Sequence, residues 1–170
     1  MRLLLILRAA VCLEVGLIVT FSQSHSVQVG LLALTSFGVG YAMVAVFTAL
    51  LQRKKLGDLD SVVITALALV VGLTAANTPA AQDHLWFQYL VAGWGLLSGA
   101  YDVFKSRKLG YKTPRGKEYT VSAVLALALG LLFLLVPLDV VGSVGFFGAY
   151  MILCAVHFGI SAASETTPKA

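Results

Sequence analysis

Charged residues are scarce in this sequence: they make up 12% of its 170 residues, against roughly 25% in a typical soluble domain. Hydrophobic residues make up 59%, and the mean hydropathy is +0.90. So little polar surface cannot solvate a monomeric globule of this size, which excludes a water-soluble enzyme and a disordered chain. Cysteine is scarce too. Cys12 and Cys154 both lie inside apolar runs, so no disulfide framework is expected.

Sequence motifs that carry chemistry are also missing. The sequence has no group of His, Cys, Asp and Glu at metal-ligand spacing. It has no phosphate-binding glycine loop and no nucleophile elbow. We therefore predict a protein that is not an enzyme, with no catalytic residue, no metal and no cofactor.

The sequence does contain six apolar stretches of membrane-spanning length. A helix needs about 20 apolar residues to cross the hydrocarbon core, and in lipid such runs are helical because the backbone must satisfy its own hydrogen bonds. The sequence therefore predicts an all-α, polytopic membrane protein that forms a single integral membrane domain over residues 1–170. The predicted spans are residues 3–21, 27–51, 60–76, 85–104, 119–136 and 140–163.

Lysine and arginine are confined to alternate connections between these spans. The other connections contain neither, only Asp83, Asp139 and two histidines. By the positive-inside rule, both termini are cytoplasmic, in the plasma membrane of a cell that we expect to be bacterial. The basic residues, including a predicted cytoplasmic loop at 105–118, serve to orient the chain and are expected to attract anionic headgroups, with no nucleic acid as partner. They are Arg53, Lys54, Lys55, Lys105, Arg107, Lys108, Lys112, Arg115 and Lys117.

An internal repeat predicts three helical hairpins in tandem, over about residues 3–57, 58–110 and 117–163. Residues 68–79 align with residues 126–137 through their alanine, glycine and proline. Tyr41, Trp94 and Tyr150 occupy comparable places in the even-numbered helices. The repeats run parallel, related by an axis near the membrane normal. Small residues four apart allow close helix approach in lipid, so we expect packing at Gly16, Gly72, Gly95, Gly99, Gly130 and Gly159.

Two segments carry a family resemblance. Residues 125–137 read LALALGLLFLLVP and residues 145–157 read GFFGAYMILCAVH, and residues 71–79 and 93–99 repeat this theme. A glycine-containing helix that ends in proline, followed by a glycine-rich helix, resembles the HdeD-like acid-resistance family of small bacterial membrane proteins. The first hairpin departs from the pattern, with Gln23 in place of the proline. The resemblance implies six spans and a stress-linked, non-enzymatic role, and it supplies no catalytic residues.

Four ionisable residues lie within the predicted spans: Arg8, Glu14, Asp102 and His157. A charge in hydrocarbon costs several kcal/mol unless it is paired or hydrated. Arg8 is expected either to snorkel to the headgroups or to pair with Asp102, which is otherwise interfacial. His157 either stays neutral and hydrogen-bonded or titrates. Glu14 lies near the midplane, and we hypothesise that it meets His157 in a buried contact that responds to pH.

These observations leave three roles open. The first is a structural or stress-response membrane protein of the HdeD-like kind. The second is an accessory subunit of a larger respiratory or cell-envelope complex, or a homo-oligomer, that docks through small-residue faces. The third is a small transporter or proton conductor with Glu14, Asp102 and His157 along its path.

Overall fold

A computed structural model of the protein describes residues 2–51, 59–79 and 84–164. Within these ranges the chain is all-α and forms six helices, which confirms the predicted class and helix number. The predicted bounds agree with the helices to within one residue, except where α4 meets α5. The helices are α1 (Arg2–Phe21), α2 (Val27–Leu51), α3 (Leu59–Ala76), α4 (His84–Leu109), α5 (Pro114–Leu135) and α6 (Val140–Ser164).

Four of the described helices, α1, α2, α5 and α6, are long and apolar enough to span a membrane. Helix α3 contributes a shorter apolar stretch, Val62–Ala76. Helix α4 does not reach this hydropathy because it is rich in polar side chains. The bundle turns many of these inward, and the buried ones are Gln88, Ser98, Asp102, Lys105 and Ser106.

The segment 105–118 was predicted to be a basic loop, and this prediction is wrong for most of its length. Helix α4 continues to Leu109 and α5 begins at Pro114, so only residues 110–113 form the turn. Gly110 has a φ of 86°, which glycine adopts without steric cost. The Thr113 hydroxyl accepts a hydrogen bond of 3.0 Å from the Gly116 N–H and so caps α5. The basic residues of this segment therefore lie mainly on helices.

The closest helix pairs are α4 with α5, α1 with α6, and α2 with α3. Each of these three pairs, which we call seams, joins two different predicted hairpins, and the α1–α6 seam closes the helices into a ring. The contacts within the predicted hairpins, α1–α2, α3–α4 and α5–α6, are sparser. The bundle is thus held together mainly across the hairpin boundaries.

Two seams bring glycine backbones into contact. A Cβ added at Gly95 of α4 would lie 2.7 Å from the backbone nitrogen of Gly130 in α5. A Cβ added at Gly38 of α2 would lie 2.6 Å from the Cα of Gly72 in α3. In lipid, helices associate through such close packing because exclusion of water supplies no force between them.

The α1–α6 seam is built differently. A branched side chain, Ile152, stands at its contact, where the other two seams have glycine. The Ile152 side chain packs over Gly16, and Val19 packs over Gly148 in the same seam. This seam is therefore filled by side chains instead of backbone contact.

Two further glycines of the predicted packing set behave differently from each other. Gly99 faces the side chain of Leu127 across the α4–α5 seam. No described atom beyond the local backbone lies within 4 Å of the position that a Cβ at Gly159 would take. The prediction that Gly159 packs against another helix of this chain is therefore wrong, because this part of α6 faces outward.

Neighbouring helices run antiparallel, so the bundle has two ends. We call the half in which α1, α3 and α5 begin the basic half, and the other the closed half. In the closed half, Phe87 packs edge-on against Phe147 and Phe133, with ring centroids 5.9 Å and 6.3 Å apart. The Gln88 side-chain amide there donates to the Ser143 hydroxyl at 2.7 Å and to the Leu138 carbonyl at 2.8 Å. The closed half is thus dense and its buried amide is satisfied.

Candidate functional site: a polar cavity in the basic half

The basic half encloses a cavity of about 290 Å³ between the helices. All six helices contribute to its lining, with α4 and α5 providing most of the polar side chains. Such a volume is at the lower end of the roughly 300–1,000 Å³ found for small-molecule pockets. The polar and charged residues of the lining include Arg8, Tyr41, Thr48, Ser98, Asp102, Lys105, Arg115, Glu118 and Ser122.

The floor of the cavity is aromatic. The rings of Phe37 and Trp94 meet edge-on with centroids 4.9 Å apart, and Tyr41 lies 6.1 Å from Trp94. Tyr150 of α6 completes the floor. Phe37 also contacts Phe147 at 6.4 Å, so the floor continues directly into the packed core of the closed half. Tyr41, Trp94 and Tyr150, which the repeat places at comparable positions, therefore converge on one surface.

Arg8 projects into this cavity from α1. Its guanidinium carbon lies 4.6 Å from the centroid of the Tyr41 ring, a cation–π distance. Its Nε atom is buried and has no hydrogen-bond partner among the described residues. Neither expectation for Arg8 is met as stated: the ring of Tyr41 holds the side chain inward, and no ion pair with Asp102 is present in the described part of the chain.

Asp102 is 8% exposed and lines the same cavity. The Ser122 hydroxyl of α5 is its hydrogen-bonding neighbour, and the charge of Arg8 acts on it from across the cavity. Asp102 therefore faces the cavity, and its place at the membrane interface stays a prediction. Lys105, one turn further along α4, is 6% exposed and also lines the cavity. This lysine was predicted to contact headgroups, and its burial contradicts that prediction.

The hypothesised buried contact between Glu14 and His157 is not formed. Glu14 is exposed, because it lies roughly 200° around α1 from Cys12, at 100° per residue, and Cys12 is on the buried face. The His157 ring lies beside the backbone of Glu118 on α5, and its Nε2 atom is buried without a partner among the described residues. The two side chains therefore belong to different surfaces of the bundle.

Both cysteines of the chain line the cavity. Cys12 lies on α1 and Cys154 lies on α6, and both are buried free thiols. Their helices form the side-chain-filled seam. Two native thiols therefore report on access to the cavity.

The remaining predicted headgroup residues divide into three groups. Arg115 is exposed and also lines the mouth of the cavity. Arg53, Lys54 and Lys55 lie outside the described residues. The others are exposed at the same end of the bundle, namely Arg107, Lys108, Lys112 and Lys117.

The arrangement of the cavity suits binding. Two of its buried donors, Arg8 Nε and Trp94 Nε1, lack a hydrogen bond among the described residues, and a donor left this way costs about 1–3 kcal/mol. Comparisons of the chain with protein-family models, with curated proteins and with solved structures found no match. The geometry of the cavity therefore carries the functional argument.

Proposed function

We propose that this chain is a six-span protein of a bacterial plasma membrane, with both termini in the cytoplasm, whose bundle binds a small molecule in a cavity that opens to the cytoplasm. The observation that carries the proposal is the contrast between a polar cavity of about 290 Å³ in the basic half and the packed aromatic core beside it. The proposal is one of binding, without chemistry on the ligand.

One-sided access supports binding over conduction. The cavity ends on Phe37 and Trp94, and beyond them Phe87 and Phe147 are fully packed. A proton or solute path would have to cross this core, and Glu14 lies outside the bundle, on the exposed face of α1. A transporter or proton conductor is accordingly the less supported role.

Cytoplasmic access is supported by the charge of the cavity end. The exposed arginine and lysine residues of α4 and α5, such as Lys108 and Lys117, lie at the end where the cavity opens. The positive-inside rule assigns such an end to the cytoplasm. The orientation and the direction of access therefore rest on the same residues.

The decisive experiment labels Cys12 and Cys154 with membrane-impermeant methanethiosulfonates. Each single-cysteine variant, Cys154→Ser or Cys12→Ser, is treated in spheroplasts and in inverted membrane vesicles. We expect labelling in inverted vesicles alone. In a cysteine-free background, Ser24→Cys, which is exposed at the other end, serves as the matched control and should react in spheroplasts alone.

Two results would contradict the proposal. Labelling of Cys12 or Cys154 from the periplasmic side would mean that the orientation or the closure is wrong. Absence of labelling from both sides would mean that the cavity is closed to solutes. Labelling only in inverted vesicles supports cytoplasmic access.

The physiological setting stays a prediction. The resemblance of residues 125–137 and 145–157 to the HdeD-like family favours a stress-linked role, which acid survival of a deletion strain would test. An accessory-subunit role is separated from it by purification in mild detergent. A stoichiometric membrane partner would favour the accessory subunit, and a chain that purifies alone or as a homo-oligomer would favour the first.

A further inference from the structure

We propose that the cavity binds a small organic carboxylate with an apolar body, its carboxylate held by Arg8 and its body resting on the aromatic floor at Trp94. This inference rests on the proposed binding function and names its ligand class. Three features of the cavity lead to it: the unpartnered donors, the state of the charged groups and the shape of the floor.

The first feature is a pair of donors that need an acceptor. Trp94 is 3% exposed, and its indole N–H makes no hydrogen bond of standard geometry, although the Tyr150 hydroxyl is a close neighbour. The Nε–H of Arg8 is buried and unpartnered as well. Neither group can accept a hydrogen bond, so each needs an acceptor, and the two oxygens of a carboxylate offer lone pairs to both.

The second feature is that Tyr41 and Asp102, two of the groups that could recognise a cation, already have neighbours in the cavity. The face of the Tyr41 ring is taken by the guanidinium of Arg8 at 4.6 Å. The Asp102 carboxylate has the Ser122 side chain as a polar neighbour. Arg8, by contrast, has no carboxylate partner in direct contact within the described residues, and a guanidinium is the group best suited to a bidentate carboxylate.

The third feature is the apolar floor. Phe37, Trp94 and Tyr150 present ring surfaces to the cavity, and these surfaces match the body of an apolar or aromatic acid. A volume of about 290 Å³ admits a compact ligand and excludes a lipid with two long chains. A free inorganic anion would leave the floor uncovered. The combination therefore favours one small molecule with a charged end and an apolar end.

The experiment uses the full chain in lipid nanodiscs and follows binding by fluorine NMR of the ligand. The probe is para-fluorobenzoate, compared with the neutral para-fluorobenzamide and the cationic para-fluorobenzylamine. Empty nanodiscs of the same lipid correct for partition into the bilayer. We expect saturable binding of the benzoate, at least tenfold tighter than that of the amide or the amine, which corresponds to about 1.4 kcal/mol or more.

Two pairs of variants assign the contacts. Arg8→Gln should weaken benzoate binding at least tenfold, and its control on the same helix is Arg2→Gln, at an exposed position. Trp94→Phe keeps an aromatic ring and removes the N–H, and it should weaken binding several-fold. Its control on the same helix is Trp86→Phe, because the Trp86 indole lies outside the cavity and donates to the Thr78 hydroxyl at 3.0 Å. Both controls should bind as the unaltered chain does.

The outcomes separate the ligand class from the binding function. If Arg8→Gln disturbs folding, Arg8→Lys keeps the charge and removes the Nε–H, and the proposal requires weaker benzoate binding in that variant. Benzoate that does not bind saturably, or binds no more tightly than benzylamine, overturns the carboxylate proposal. If the thiols at Cys12 and Cys154 are nevertheless labelled from the basic half, the cavity remains a binding site of another class. If they are not labelled, the proposed function itself fails.

Discussion

The two halves of the bundle differ at a few buried side-chain donors. In the closed half, Gln88 donates both to Ser143 and to a backbone carbonyl. In the basic half, Arg8 and Trp94 each keep a buried donor without a partner among the described residues. Because an unsatisfied buried donor costs about 1–3 kcal/mol, packing alone does not account for the basic half. From this difference we expect the closed half to contribute most to stability, and we place the proposed binding site in the basic half.

The largest effect on stability is expected for Phe147→Ala in the closed half. Phe147 is 0% exposed, and its ring contacts Phe87 and Phe37. Removing it should lower the free energy of unfolding by about 3 kcal/mol, measured by SDS titration in mixed micelles. The control is the adjacent Phe146→Ala, at a ring 47% exposed, which should change stability far less. Equal losses in the two variants would contradict the assignment of the closed half as the stable core.

The next largest effect is expected at the α4–α5 glycine seam, near the boundary between the halves. Gly95→Ala places a Cβ 2.7 Å from the backbone of Gly130, which cannot move aside as a flexible side chain can. We expect a loss of about 1–3 kcal/mol in unfolding free energy from overpacking. The matched control is Gly93→Ala, two residues earlier on α4, where the added Cβ would have nothing within 4 Å. An unchanged free energy of unfolding in Gly95→Ala would show that the two helix backbones are not in contact at this seam.

A smaller effect is expected at the satisfied amide of the closed half. Gln88→Leu removes two hydrogen bonds, and it leaves the Leu138 carbonyl without that donor. Interhelical hydrogen bonds in membrane proteins contribute about 0.6–2 kcal/mol, so we expect a loss in this range. A double-mutant cycle with Ser143→Ala isolates the side-chain pair. A coupling energy of zero would show that the pair adds nothing to the closed half.

The smallest effect on stability is expected in the basic half. Asp102→Asn retains a group that can accept a hydrogen bond from Ser122 and removes one negative charge from the cavity lining. The free energy of unfolding should change by less than about 1 kcal/mol. Labelling of Cys12 or Cys154 by an anionic methanethiosulfonate should accelerate about threefold relative to a cationic one. Arg2→Gln, outside the cavity, should leave this ratio unchanged. An unaltered ratio in Asp102→Asn would place Asp102 outside the path that the reagents take.

The helices themselves could be predicted from sequence because a long apolar run in lipid has a single solution, the helix. The same hydropathy signal misjudged the junction of α4 and α5. An apolar run ends where the side chains become polar, but a helix can continue into polar residues. Lys105 and Arg107 are compatible with a helix, and α4 continues through both to Leu109. The turn itself is marked locally by Gly110 and by the Thr113-Pro114 start of α5.

Which face of each helix is buried could not be predicted. Helices α1 and α6 are apolar nearly all the way round, so a hydrophobic pattern does not distinguish the face toward lipid from the face toward protein. Glu14 and His157 were therefore placed together, although Glu14 is on the outer face of α1. Asp102 was placed at the interface, although it faces the cavity. Their positions depend on how the helices rotate when they pack.

Two further features had usable signals in the sequence. Gly38 was missed as a packing residue, yet it lies four residues before Ala42, the spacing that allows close helix approach, and it lies in a backbone seam. The convergence of Tyr41 and Trp94 was visible as a correspondence within the repeat, but its meaning as a cavity floor was not. A sequence repeat indicates which positions are equivalent, but it does not indicate whether those positions line a cavity.

Hydropathy by itself determined the all-α class and the number of helices, because an apolar run leaves water most favourably when its backbone groups are paired within a helix. The tertiary structure decided which helices form the seams, that Arg8 turns inward and that the polar face of α4 borders a cavity. These features depend on contacts between residues far apart in the chain, such as Arg8 with Tyr41 and Gly95 with Gly130. Two helix faces of equal hydropathy differ only in how well neighbouring side chains and backbones pack against them.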